Sequence, residues 1–221
     1  MIKKYKNYKI KAVNGFLIRN FLDIDFGILH SFSPNVAEFS KKCYIPQSEI
    51  WVDAPFLKEI DFLLKIEFFD SYQAEKKFPK FKVREILKKV FCEKGPLPEF
   101  RRKKTRKGKY DIVFVDGKTV RKFIDPEFIF GGHSLVYDYI PKNEIWIDSA
   151  ADKNEIPFIL EHEIFESELM KSGKKYDCAH EYANAKEKEL RFEKIGASYP
   201  GFESYPFTKF SNRKLAEKFY A

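Results

Sequence analysis

The sequence predicts an α+β fold made by tandem duplication of one unit, a β-hairpin, a strand and two helices. Three observations carry this. Tyr8–Asp23 aligns with Tyr110–Asp125, sharing Tyr, Ile, Val, Gly, Arg, Phe and Asp. Tyr44-Ile45-Pro46 and Glu49–Asp53 return as Tyr139-Ile140-Pro141 and Glu144–Asp148. Glu59–Ser71 aligns with Glu155–Ser167. A self-similar chain is read as a repeat before anything else, because each copy then inherits the fold of the other.

Each copy opens on alternating apolar residues around Asn14-Gly15 or Asp116-Gly117. Asn-Gly and Asp-Gly are the strongest short hairpin signals, since a type I′ turn needs positive φ at both central residues. The next segment, Glu-Ile-Trp-Val-Asp or Glu-Ile-Trp-Ile-Asp, reads as a short apolar strand entered from Pro46 or Pro141. The first copy has a longer connection before it, around Asn35–Lys42. Helices follow at 59–71 and 155–167. Pro157 sits in a first turn, where its missing N–H costs nothing, and Gly173 is a natural stop. Second helices are expected at Lys80–Phe91 and about Asp177–Lys194, with Asp177 as N-cap. The resulting domains are 1–98, a basic linker 99–109, a second copy 110–197 and a tail 198–221 that fits no repeat.

Composition excludes several classes. Hydrophobic residues make up 44% and charged residues 33%, which is globular and not disordered. Twenty-four Phe residues promise an aromatic core. No apolar run approaches the ~18–20 residues of a membrane span, and the basic N-terminus lacks a signal-type apolar stretch, so a cytoplasmic product is expected. Cys43, Cys92 and Cys178 are dispersed and odd in number, which argues against a disulfide framework or a thiolate zinc site. Net charge is +8, much of it in Arg101–Lys109. Such a run binds phosphates by counterion release, or is a solvated linker; it has no interleaved aromatics for stacking bases.

The chemistry lies in the second copy. In Glu161-His162-Glu163-Ile164-Phe165-Glu166, His162 and Glu166 are four apart and share one helix face. His180 falls at the start of the next helix, where an antiparallel turnaround brings it back. Two His and one carboxylate leave a place for water, as a catalytic zinc requires. Glu163 stands where the His-Glu-x-x-His logic keeps its general base. The competing reading is a surface salt-bridge lattice. The first copy carries Ile66 opposite His162 and Lys82 or Arg84 opposite His180, so both His ligands differ together. His133, after Gly131-Gly132, aligns with His30 in the copy without a site, which favours a structural role for it over a ligand or oxyanion-donor role.

Taken together, Gly131-Gly132-His133, Tyr139-Ile140-Pro141, Glu144–Asp148, Leu160–Glu166 and Tyr176–His180 resemble small zincin-like metallopeptidases of phage and bacteria, over about residues 110–193. The resemblance implies metal ligands His162, Glu166 and His180, a base at Glu163, Zn2+ as cofactor, and a peptide or protein substrate laid along an edge strand. The Glu at the fourth position departs from the zincin signature. Two alternatives follow from the residues: a nucleic-acid-associated protein using Arg101–Lys109, or a phage-type structural protein whose metal site is non-catalytic or missing.

Overall fold

The computed structural model describes residues 3–5, 7–31, 44–46, 48–75, 80–197 and 219–221. The chain is mixed α+β. In order it forms β1 (Lys3–Tyr5), β2 (Tyr8–Val13), α1 (Gly15–Phe21), β3 (Leu29–Ser31), β4 (Glu49–Asp53), a 3-10 turn (Ala54–Glu59), α2 (Ile60–Glu75) and α3 (Lys80–Phe91). Then come β5 (Arg101–Lys107), β6 (Tyr110–Val115), α4 (Gly117–Phe123), β7 (Gly131–His133), β8 (Glu144–Asp148), α5 (Ile156–Lys171) and α6 (Tyr176–Ile195). The two four-stranded sheets have the orders β1-β2-β4-β3 and β5-β6-β8-β7. In each, the second strand runs parallel to its inner neighbour and the outer pairs are antiparallel.

Two compact units result, Met1–Ile60 with Arg191–Ala221, and Asp61–Leu190. The division does not follow the sequence halves: α3 falls in the second unit, where it also meets residues beyond 98. Arg84 pairs with Asp125 at 2.6 Å and its guanidinium lies over the Tyr137 ring. The expected tail, 198–221, is described only at Phe219–Ala221, and the connection 35–42 lies outside the described residues.

The Asn-Gly and Asp-Gly pairs are not hairpin turns. Asn14 and Asp116 are the N-caps of α1 and α4, accepting from Leu17 N and Thr119 N. The glycines are needed for close approach. A Cβ on Gly15 would sit 2.2 Å from the Asp53 carboxylate, and one on Gly117 1.9 Å from that of Asp148. Those carboxylates accept from the glycine N–H groups and pair with buried Arg19 and Arg121. The arginines also donate to Phe26 O and Phe128 O. One polar brace, repeated, ties strand, short helix and following loop together.

The hairpins are instead β1–β2 and β5–β6, so the basic run is an edge strand and not a linker. Every residue of β5 is exposed, and it follows β6 from Tyr110 to Val115 with a bulge at Arg101/Lys103. An edge with six basic residues of seven and a bulge also resists pairing with another chain. Phe100, just before it, accepts from Asp116 N and packs its ring on Trp146. In the other unit Phe219 does the same for Asn14 N and Trp51, and Tyr220 bridges to Val13. The end of the tail therefore supplies what Phe100 supplies in the second unit.

The second sheet has two buried faces, read directly from the period-2 pattern. Tyr110, Ile112, Ile145 and Ile147 cluster with Ile156, Ile159, Leu160 and Ile164 of α5. Val113, Val115 and Trp146 face the other way, with Val120, Phe128, Ile140, Tyr137 and Tyr139. The α5 stripe follows helical spacing, which fixes the rotation of the helix and so where its polar residues point. Pro157 lies in its first turn, as expected. At its end Gly173 (φ 96°) donates to Met170 O and Lys174 to Leu169 O, a Schellman stop that starts the turnaround into α6. Asp177 lies inside the first turn of α6, not at its N-cap, because the helix begins at Tyr176.

Candidate metal centre

Three elements converge. His162, Glu163 and Glu166 project from α5, His180 and Glu187 from α6, and His133 from β7. The turnaround brings His180 onto the His162–Glu166 face: His180 Nδ1 is 2.8 Å from Glu166 Oε2 and 3.2 Å from His162 Nε2. His162 Nε2 is 3.5 Å from the same oxygen. Donors on a tetrahedral zinc, each ~2.1 Å from the metal, lie roughly 3.4 Å apart. These three atoms already have about that spacing. The two imidazole nitrogens and the carboxylate oxygen face a common point, to which they would present lone pairs once the rings give up their protons there.

The sequence-derived ligand set His162, Glu166 and His180 is thus brought together. Glu163, one position along, lies with its Cγ and Oε1 3.2 Å from where a Cβ on Gly131 would be. The glycine lets α5 and this carboxylate lie against β7. Burial pushes the Glu163 carboxyl up to about 7, against the lowering effect of His162 and His133. For Glu166, burial would also raise the group, but hydrogen bonds from His133, His162 and His180 outweigh it and hold it well below the usual carboxylate range. Burial alone would lower His162; its contacts with Glu166 and Glu187 outweigh this and push the ring up to about 10 with no metal present.

One residue of the site escaped sequence reasoning, and a second was weighed there on a mistaken alignment. Glu187 accepts from His162 Nδ1 at 2.9 Å, which orients the ring with Nε2 toward the site. Its signal was available: it follows His180 by two helical turns and so shares its face. His133 is the second. It is 1% exposed and its Nε2 lies 3.0 Å from Glu166 Oε1. The structural role favoured for it rested on alignment with His30, and the strand register corrects that alignment. His133 pairs with Ile145, but His30 pairs with Trp51, the counterpart of Trp146. The position equivalent to His30 is Gly132, and that equivalent to His133 is Ser31. A slip of one residue changes the face of the sheet. His30 accordingly lies edge-on to Phe26 and accepts from Gly27 N.

The rim of the site is aromatic: Tyr176 stacks on His180 with centroids 5.5 Å apart. Among the described residues, no helix is long and apolar enough to cross a membrane. Comparison with protein-family models, curated proteins and solved structures finds no match to this chain.

Proposed function

We propose that the chain is a zinc-dependent hydrolase acting on peptide bonds, with His162, Glu166 and His180 as ligands and Glu163 as general base. The convergence of three donor atoms at 2.8–3.5 Å carries this reading. Two neutral imidazoles and one carboxylate are a donor set that suits zinc and leaves a place for water. Bound there, zinc would polarise a carbonyl and make water acidic near neutral pH.

The chain's own residues would do the rest. Glu187 holds the orientation of the His162 ring. Glu163, with its carboxyl at about 7, is matched to taking up and returning a proton near neutrality. β7 is the edge strand beside α5, a position where an extended peptide can add alongside. The nucleic-acid alternative draws less support. Arg101, Arg102, Lys104, Lys107 and Lys109 are each paired with a carboxylate, of Glu144, Asp116, Asp111, Glu161 and Glu168.

The test is zinc content of the purified protein with and without added zinc, beside His162→Ala, followed by hydrolysis of a fluorescently labelled protein substrate. Stoichiometric zinc in the wild type, its loss in His162→Ala, and a turnover drop of about 10²–10⁴ in Glu163→Gln with zinc retained are expected. Wild-type protein that cannot take up added zinc ends the reading. Zinc uptake with turnover indifferent to Glu163→Gln leaves a non-catalytic metal scaffold.

A further inference from the structure

We propose that His133 is a positioning residue for Glu166: it donates a hydrogen bond to one carboxylate oxygen, so that Glu166 meets the metal through the other oxygen alone. This rests on the zinc reading above and adds a role for a residue outside the ligand set.

The two oxygens of Glu166 have different neighbours. Oε1 lies 3.0 Å from His133 Nε2, and Oε2 lies 2.8 Å from His180 Nδ1. His133, Glu163 and Glu166 also place ligand atoms within 4.8 Å of one another, so the ring could in principle serve as a ligand itself. Its other nitrogen decides the matter. Leu135 N–H points at His133 Nδ1 from 3.3 Å, so Nδ1 is an acceptor and the ring proton sits on Nε2. A protonated nitrogen is a donor to a carboxylate, not a metal ligand.

The backbone makes this assignment, because the Gly131-Gly132-His133 strand runs straight into the turn that carries Leu135. That turn is itself anchored on His133 O by Val136 N and Tyr137 N. The hydrogen bond holds Oε1 toward His133 and disfavours chelation through both oxygens, so the coordination place a bidentate carboxylate would fill is left for water or substrate. Both side chains are almost wholly buried, 1% and 4% exposed, so water does not compete for the bond. The other sheet has Ser31 at this register, in the unit that lacks the His ligands.

The experiment starts with the wild-type protein. Ring-nitrogen NMR of labelled histidines should show His133 protonated on Nε2 both without and with zinc, while His162 and His180 change on zinc addition. A zinc-induced change at His133 of the kind seen at His162 would make it a ligand and overturn the proposal. Competition titration then compares His133→Leu, which keeps volume without a donor, with His133→Gln, which restores an N–H. Zinc affinity should fall by about 10–100-fold in His133→Leu and recover in His133→Gln. The visible spectrum of the cobalt-loaded protein should change in the Leu variant only. Wild-type affinity and spectrum in a folded His133→Leu overturn the proposal and leave the zinc site standing. If His133→Leu does not fold, the nitrogen spectra and His133→Gln decide. Failure of the wild type to bind zinc at all removes the hydrolase reading, and this inference with it.

Discussion

The edge strands β3 and β7 occupy the same place in two sheets of the same order, yet only β7 contributes a histidine to the candidate metal centre. β3 reads Leu29-His30-Ser31 and β7 reads Gly131-Gly132-His133. The histidine has moved by one position, and one position in a strand is the other side of the sheet. On β3 it joins the face of Trp51 and Phe26; on β7 it joins the face of α5 and Glu166. The comparison teaches that residue type and approximate position do not carry a role from one unit to the other. Register does.

What the units share should respond alike. The Arg19–Asp53 and Arg121–Asp148 pairs are both buried, at 2.9 and 2.7 Å. Arg121→Met should destabilise the second unit by about 3–5 kcal/mol, since a carboxylate is left buried without its guanidinium, and Arg19→Met should cost the first unit about the same. Chemical denaturation followed by a probe in each unit checks this. A loss confined to one unit would show that the brace matters in only one sheet.

What they do not share should separate. Gly131 admits Ile159 and Glu163, whose atoms lie 2.9 and 3.2 Å from a Cβ placed there, whereas Leu29 stands at the corresponding position of β3. Gly131→Ala should displace Glu163 and lower turnover by up to about 100-fold while zinc content is retained. Leu29→Ala should leave turnover and zinc unchanged. Equal loss of activity in both would place the site's geometry outside β7.

Sequence patterns made much of this visible, and physics explains what they hid. The strands Glu49–Asp53 and Glu144–Asp148 and the helix bearing His162, Glu163 and Glu166 were legible because period 2 and period 3.6 are local properties. Asn14-Gly15 and Asp116-Gly117 misled because the need for glycine there is tertiary. The obstacle to a Cβ is a carboxylate of a distant strand, not a turn's φ. The strand Arg101–Lys107 was hidden because both its faces meet water, so no alternation marks it. His133 was aligned with His30 because a repeat alignment tolerates a one-residue slip that a sheet does not.

A smaller effect concerns pH. In metal-free protein the Glu163 carboxyl titrates near 7 when folded, against 4.5 as its ordinary value. A raised carboxyl favours the folded state fully below about 4.5, and that contribution is lost as pH rises to about 7. His162 adds to the same trend: raised from 6.5 to about 10, it stabilises below 6.5 and ceases to do so as pH climbs through 10. Thermal melts of the metal-free protein should therefore fall as pH goes from 5 to 7, and Glu163→Gln should flatten the fall in that window. Glu163 and His162 both lie in the second unit, and a probe reporting on the first should show no such step.

The smallest effect separates the basic strand from the buried braces. Lys104 pairs with Asp111 at 2.9 Å, but the two side chains are 55% and 37% exposed. An ion pair held in water gains little beyond the entropy of fixing two long side chains, so Lys104→Ala should change stability by under about 1 kcal/mol. The contrast with Arg121→Met is a contrast of solvent, not of charge. Added salt should erode the Lys104 effect and spare the Arg121 effect, because screening reaches only the exposed pair. If Lys104→Ala cost as much as Arg121→Met, β5 would be an energetic part of the sheet. A small, salt-sensitive cost instead makes it a charged edge that keeps β6 covered and unavailable to other strands.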